Sequence, residues 1–165
     1  MIMIDDQDIT IRAAVPGDAE AISAMIHAAL RQTNTQDYPV TIIDRLAHSY
    51  SAPRVAVMIR QREMFVADQL GLVIGTIGYA AGAVRSLFVA PNFQSRGIGR
   101  NLIAAVEDHA RHEGMQSLTV AASLTAMAFY RRCGFTDLRP VDPSGIAMML
   151  MHKRLTTSGD QPLNF

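Results

Sequence analysis

The fold of this chain is decided by one stretch, which runs from an apolar strand through a polar loop into a helix: Leu87-Phe88-Val89-Ala90-Pro91-Asn92-Phe93-Gln94-Ser95-Arg96-Gly97-Ile98-Gly99-Arg100. Apolar residues at helical spacing predict that the helix runs from Gly97 to about His112. A helix that begins at glycines presents backbone N–H groups without intrahelical partners, and these groups and the helix dipole favour an anion. Because Arg96 and Arg100 add positive charge there, the stretch predicts a pyrophosphate site.

Two other phosphate-binding motifs fit this stretch less well. A Walker loop requires Gly-Lys-Ser/Thr, and no lysine stands here. A dinucleotide fingerprint requires a small residue three positions after Gly99, where Leu102 stands, and no acid closes the strand that ends near Ala122. A dinucleotide-dependent enzyme is therefore the weaker hypothesis, and the glycine pair taken alone also fits a tight turn.

The longer pattern resembles a known family. Gln94-Ser95-Arg96-Gly97-Ile98-Gly99 resembles the Q/R-x-x-G-x-G/A motif of the GCN5-related N-acetyltransferases, and it stands between the expected strand and the expected helix. After that helix, the chain reads Ala126-Met127-Ala128-Phe129-Tyr130-Arg131-Arg132-Cys133-Gly134-Phe135, which resembles the family's A-x-x-F/L-Y-x-x-x-G-F element. Two motifs in the correct order make the resemblance specific over residues 84–135, and it extends over about residues 9–154.

The remaining pattern is typical of an α/β (α+β) domain with helices packed on a sheet of mixed direction. A helix capped by Asp18 is expected, with further helices over 40–49, 53–61, 97–112 and 125–132. Strands are expected over 9–12, 64–67, 72–79, 84–89, 118–122, 135–141 and 146–151. The resemblance implies a mostly antiparallel sheet of six to seven strands that splays into a V-shaped cleft. We expect a single domain over residues 1–155 and a loose tail over 156–165.

The resemblance implies acetyl-CoA as the acyl donor and assigns residues to each part of it. Backbone groups of Leu87, Phe88 and Val89 would pair with the pantetheine arm like an added strand. A bulge in this strand would free an amide for the thioester oxygen. Ser123 stands where relatives often carry asparagine and would bind the arm less firmly. The pyrophosphate would bind at Ser95, Arg96, Gly97, Ile98, Gly99 and Arg100.

Tyr130 is the predicted catalytic residue, because the resemblance places it near the sulfur, where it would protonate the departing thiolate. A thiol has a pKa of about 8.5 and a free tyrosine about 10, so proton donation during C–S cleavage is feasible. The alternative is that Tyr130 is a half-buried packing residue whose hydroxyl bonds water or backbone.

The acceptor side lacks the carboxylate that many relatives use to deprotonate the amine. Neither the strand before the loop, at 83–86, nor the strand after the helix, at 118–120, contains one. The general base is therefore not assigned, and water in a wet channel is one alternative. The candidates for acceptor binding are His27, Tyr38 and His48 on the N-terminal segments, and Arg85 and Ser86 on the strand.

The predicted function is transfer of an acetyl group from acetyl-CoA to a primary amine by direct attack in a ternary complex, without a metal. The missing glutamates keep a non-catalytic acyl-CoA-binding or sensor module as the alternative. His109 and His112 form a helical pair, but no third ligand stands at informative spacing, so no metal site is predicted.

Composition narrows the class of partner. Fifteen basic residues balance fifteen acidic ones, which argues against nucleic acid and against an anionic membrane as partners. No apolar run reaches the roughly 18 residues that span a bilayer. A single cysteine, Cys133, excludes an internal disulfide, so a cytoplasmic location is expected. Formation of a homodimer is left open, since this fold often dimerises.

Overall fold

The computed structural model of the protein describes residues 8–156. The predicted tail lies outside this range except for Thr156. Within the range the elements are β1 (Ile9–Ala13), α1 (Ala19–Gln32), α2 (Val40–Ser49), α3 (Ala52–Gln61), β2 (Glu63–Gln69), β3 (Leu72–Ala80), β4 (Ala83–Val89), α4 (Ile98–His112), β5 (Ser117–Ser123), α5 (Met127–Arg132), β6 (Thr136–Val141) and β7 (Met148–Arg154). The predicted order of strands and helices is confirmed.

The seven strands form one sheet in the order β1-β2-β3-β4-β5-β7-β6. All neighbours are antiparallel except β4 and β5, which run parallel. The final hairpin inserts β7 between β5 and β6, and β7 pairs with β5 along its whole length. The mixed, mostly antiparallel sheet predicted from the sequence is therefore confirmed.

Helices cover both faces of this sheet, because successive residues of a strand point to opposite faces. Val66 packs in a core cluster that includes Ile22 and Ile26 of α1. The next residue, Ala67, packs in a second cluster that includes Leu102 and Val106 of α4. The sheet is thus the middle layer, with α1, α2 and α3 on one side and α4 on the other.

Asp18 directly precedes α1, but its side chain makes no capping hydrogen bond to that helix. Its carboxylate instead accepts hydrogen bonds from both terminal nitrogens of Arg12, at 2.8 and 2.9 Å, and from the backbone N–H of Val15. Arg12 also donates to Asp68 on β2. The predicted helix cap is therefore wrong, because a charged donor on the adjacent strand binds a carboxylate more strongly than backbone amides do.

The sheet splays between β4 and β5. These strands pair only at Ala83 with Thr119 and at Val84 with Val120. Just beyond, the register of β4 against β3 shifts, so that two residues of β4 oppose one residue of β3. The first of the two, Ser86, has a left-handed φ of 54°. Such a bulge bends its strand, and the predicted V-shaped opening is confirmed.

Candidate active site

The opening between β4 and β5 forms a cleft of about 500 Å³. Most of the residues that the sequence nominated line it together: Arg85, Ser86, Leu87, Phe88, Val89, Ser95, Gly97, Gly99, Arg100, Ser123 and Tyr130. The start of α4 lies at one end, which we call the donor end. Tyr50 and Arg85 lie at the other, which we call the acceptor end.

The donor end is built by the start of α4. Gly97 adopts the left-handed conformation, with φ 80° and ψ 5°, which glycine accepts at little cost. The first backbone hydrogen bond of the helix joins Asn101 N–H to the Gly97 carbonyl, at 3.0 Å. No side chain caps the helix, and its first turn contains no acid. The backbone N–H groups before this bond therefore have no partner within the helix and can donate hydrogen bonds to an anion in the cleft.

Two arginines and a close helix contact complete this end. Arg100 and Arg132 both line the cleft. A Cβ added at Gly99 would lie 3.0 Å from ring atoms of Phe129, so this glycine lets α5 approach α4 closely. The side chain of Ile98 is buried in the core, which leaves only its backbone for a ligand. Arg96 stacks over the Phe93 ring, 5.2 Å from its centroid, and lies outside the lining.

Tyr130 stands on α5 and lines the cleft. Its side chain is 4% exposed and packs edge-on against the rings of Phe129 and Phe135. Burial raises the pKa of Tyr130 above its usual value, with smaller contributions from Cys133 and Tyr50. The hydroxyl is therefore protonated at neutral pH. It is suited to donate a hydrogen bond to a developing thiolate, whereas complete proton transfer to sulfur runs uphill.

The acceptor end contains a residue that the sequence did not reveal. Tyr50, just after α2, lines the cleft, and its hydroxyl lies 3.0 Å from Oγ of Ser86. Its ring packs edge-on against Phe88, with centroids 5.3 Å apart. The only available signal was a tyrosine in a segment without a motif, so sequence reasoning could not separate it from a core aromatic.

The three N-terminal candidates lie outside the cleft lining. Nε2 of His27 is 2.8 Å from the Ala47 carbonyl, which joins α1 to α2. The buried Tyr38 donates to the Ala147 carbonyl at 2.7 Å and accepts from the Leu124 N–H at 2.9 Å. His48 lines a separate groove between α2 and the loop before β7. The contacts of His27 and Tyr38 are internal to the fold.

The charges of the cleft are all positive. Arg85, Arg100 and Arg132 line it, whereas no Asp, Glu or His is among the lining residues of the described chain. The general base is thus still unassigned. Cys133 is buried, and burial raises the pKa of its thiol, as a packing role requires. Residues 8–156 contain neither a group of three potential metal ligands nor a helix able to cross a membrane.

The acetyltransferase (GNAT) domain family matches residues 26–155 of the chain. The chain belongs to the GNAT acetyltransferase family. Among its relatives is an IAA acetyltransferase of Azospirillum brasilense, 32% identical over 96 residues. That alignment covers 56% of this chain and 62% of the relative, so this chain spans less than two thirds of the relative's length.

Solved structures share the whole fold. A GCN5-related N-acetyltransferase from Rhodopseudomonas palustris superposes with a TM-score of 0.83 at 24% identity, over 94% of this chain and 99% of that one. The PaiA N-acetyltransferase of Thermoplasma acidophilum, solved in complex with coenzyme A, superposes with a TM-score of 0.75 at 19% identity, over 88% and 98%. At these identities the likeness establishes the fold, and it agrees with the fold predicted from the two motifs.

Proposed function

We propose that the protein transfers an acetyl group from acetyl-CoA to a primary amine by direct attack in a ternary complex. The observation that carries this proposal is the splayed β4–β5 pair, with an anion-binding helix start at one end and Tyr130 between its walls. The name of the Azospirillum relative supports acetyl transfer, and the coenzyme A in the Thermoplasma N-acetyltransferase structure supports a coenzyme A thioester as the donor.

β4 supplies the binding edge for the pantetheine arm. After Val84, β5 no longer pairs with β4, so at Leu87, Phe88 and Val89 the edge of β4 that faces β5 borders the cleft, while the other edge stays paired with β3. An extended chain that contains amide groups can bind such an edge as an added strand does. Ser123, at the end of β5, lines the opposite wall and offers a hydroxyl to the same chain.

The start of α4 binds the pyrophosphate. Its uncapped amides, the helix dipole and the two arginines Arg100 and Arg132 all favour negative charge there. Gly97 has open space where a Cβ would stand, so the phosphate oxygens can approach the N–H groups directly.

The reaction itself needs a hydrogen-bond donor at each developing charge. The neutral amine forms a C–N bond to the thioester carbonyl, and the bulge at Ser86 frees an amide of β4 to stabilise the oxyanion. As the C–S bond breaks, the Tyr130 hydroxyl donates to the thiolate. The proton released by the amine passes to water, because the described lining of the cleft contains no carboxylate or imidazole.

The same absence favours one alternative, a non-catalytic acyl-CoA-binding module. Without a base, an amine such as lysine, with a pKa of about 10.4, is almost wholly protonated at neutral pH and cannot attack. Both functions require the donor end, and they differ only in turnover.

Ligand-induced stabilisation followed by turnover tests the proposal. Thermal unfolding is measured with acetyl-CoA, CoA and NADH side by side. A ligand at 100 times its Kd adds about 2.7 kcal/mol, which is several degrees in Tm for a domain of this size. We expect shifts with acetyl-CoA and CoA alone, followed by thiol release with a panel of primary amines. Binding without thiol release from any amine favours the non-catalytic module, and a shift with NADH alone contradicts the donor site.

A further inference from the structure

Two arginines lie side by side behind the acceptor end. A Cβ added at Gly78 of β3 would lie 3.3 Å from Cδ of Arg62 and 3.6 Å from Cβ of Arg85. Arg62 follows α3, and its stem crosses the space that Gly78 leaves open, whereas Arg85 is on β4 and lines the cleft. The glycine thus permits two positive side chains to share one face of the sheet.

Neither arginine has an acidic partner in the described part of the chain. Residues 8–156 provide no ion pair and no side-chain hydrogen bond to Arg62 or Arg85. Arg12, by contrast, contacts two carboxylates. Burial lowers the pKa of Arg62, the nearby Tyr50 hydroxyl opposes this shift, and the positive charge of Arg85 adds to it. Adjacent cations, one of them half-buried, cost free energy unless an anion joins them.

The position of this pair separates it from the pyrophosphate. Arg85 precedes Val89 by four residues, which is about 13 Å along a strand, and the start of α4 lies beyond Val89. Arg100 and Arg132 already supply the positive charge of the donor end. Arg85 is next to Ser86, whose hydroxyl contacts Tyr50 on the amine side of the cleft.

We propose that Arg85, supported by Arg62, binds a carboxylate of the acceptor, so that the substrate is a small amine that also carries a carboxylate, such as an amino acid. This inference rests on the proposed acetyl transfer. A guanidinium binds a carboxylate in a planar, bidentate way. A polyamine or a basic peptide would be repelled, because every charge that lines the described cleft is positive.

The positive charges of Arg85 and Arg62 also offer a way to deprotonate the amine without a general base. A cation near an amine favours its neutral form and lowers its pKa. An acceptor anchored by its carboxylate holds its amine beside Arg85 and Arg62, where the nucleophilic, neutral form is more populated than in water. The arginines would then both select the acceptor and assist its deprotonation without accepting a proton.

The first test compares matched acceptors on the full-length protein by thiol release. Amino acids with small, acidic and aromatic side chains are each paired with their carboxamides and with the corresponding decarboxylated amines. Phosphoethanolamine and spermidine complete the panel. We expect the best amino acid to exceed its carboxamide by about tenfold or more in kcat/KM, the effect of one lost charged hydrogen bond, and spermidine to be poor.

The second test uses Arg85→Gln and Arg62→Gln, with the exposed Arg54→Gln on α3 as a control of equal charge change. Arg85→Gln should raise the KM for the amino acid about tenfold, while the KM for acetyl-CoA stays the same and the KM for the decarboxylated amine does not rise. Arg62→Gln should act in the same direction with a smaller effect, and Arg54→Gln should change neither KM. Unfolding curves establish that each variant is folded.

The outcomes separate this inference from the proposed function. If carboxamides, decarboxylated amines or phosphoethanolamine are the better substrates, or if Arg85→Gln leaves the amino-acid KM unchanged, the carboxylate site is wrong while acetyl transfer stands. If no amine releases thiol although CoA raises Tm, acetyl transfer itself fails, and the inference fails with it.

Discussion

The donor and acceptor ends of the cleft are built in different ways. The donor end relies on backbone: uncapped amides of α4, a left-handed Gly97 and the bare edge of β4. The acceptor end relies on side chains that come from separate elements, with Tyr50 after α2, Arg62 after α3 and Arg85 on β4. Recognition by backbone leaves a local sequence motif, whereas recognition by assembled side chains leaves none and can change from one protein to the next.

Tyr130, between the two ends, should give the largest effect. Tyr130→Phe removes the donor to the thiolate, so we expect kcat to fall about 100-fold while the KM for acetyl-CoA stays nearly constant. Tyr79→Phe is the matched control: Tyr79 is equally buried and its hydroxyl donates to Glu113, away from the cleft. It should lower Tm and leave kcat unchanged. Equal turnover of Tyr130→Phe and the wild type would remove Tyr130 from the mechanism.

Loss of the ion pair between Asp18 and Arg12, which lies at the start of α1, should give the next largest effect. This effect is on stability, although the C-terminal part of α1 lines the cleft. Asp18→Asn replaces a carboxylate that binds Arg12 through two hydrogen bonds, and we expect a loss of about 2 kcal/mol. Asp44→Asn is the control, because the Asp44–Arg31 pair is exposed and 3.7 Å apart; it should change stability by less than about 0.5 kcal/mol. Urea unfolding measures both.

The difference in stability between the wild type and Asp18→Asn should depend on pH in one direction. Hydrogen bonds from Arg12 lower the pKa of Asp18 in the folded protein. Its contribution is therefore complete above the unfolded pKa of about 3.9 and is lost as pH falls through the lower, folded value. The gap between wild type and Asp18→Asn should be constant from pH 7 to 5 and narrow below pH 4. A gap that widens on acidification would contradict the ion pair.

Replacement of Arg100 should affect binding at the donor end and leave binding at the acceptor end unchanged. Arg100→Gln should weaken CoA binding up to about tenfold, as expected for one charged contact, and leave the KM for the amine unchanged. Arg139→Gln on the exposed β6 strand is the control of equal charge change. Calorimetric titration with CoA measures both variants. A change in amine KM as large as the change in CoA affinity would show that the two ends are not separate.

Replacement of Tyr38 should give the smallest effect, and it distinguishes a structural role of this residue from a role in acceptor binding. The sequence nominated it for the acceptor, whereas its hydroxyl bridges backbone groups of Leu124 and Ala147. Tyr38→Phe should cost about 1 kcal/mol of stability and leave the KM of the amine unchanged, measured by unfolding and by thiol release. An increased amine KM with normal stability would restore the acceptor role.

The residues that the sequence predicts for the donor end lie together in one cleft, and they could be named because their motif uses positions that tolerate few residues. The strand–loop–helix order follows from the motif, whereas the left-handed Gly97 and the close contact of Gly99 with Phe129 are findings of the structure. The strands and helices followed from apolar periodicity, since each element buries one face or both. The splay of β4 followed from the resemblance, and the bulge at Ser86 provides its physical cause.

The sequence named Arg85 and Ser86 for the acceptor end, but their partners could not be predicted, because the contacts join residues far apart in sequence. Ser86 and Tyr50 are 36 positions apart, and their hydrogen bond has no local signature. Arg62 was not nominated, because a helix-ending arginine is ordinary until Gly78 brings it to Arg85. Asp18 was assigned to a cap for a different reason: its partner Arg12 is only six positions earlier but lies on a separate element, β1.

Only two residue pairs join β4 to β5, so the sheet consists of two parts that are weakly linked to each other. Four strands lie on one side of this junction and three on the other, and β5 is hinged to β4 only at Ala83–Thr119 and Val84–Val120. A molecule bound along β4 would extend the sheet across the gap and fasten the two parts together. In hydrogen exchange, those amides of β4 after Val84 that face β5 and not β3 should then be among the least protected of the sheet in the free protein, and they should be slowed most when the ligand binds. The substrate would serve, for the duration of one turnover, as the missing strand of the fold.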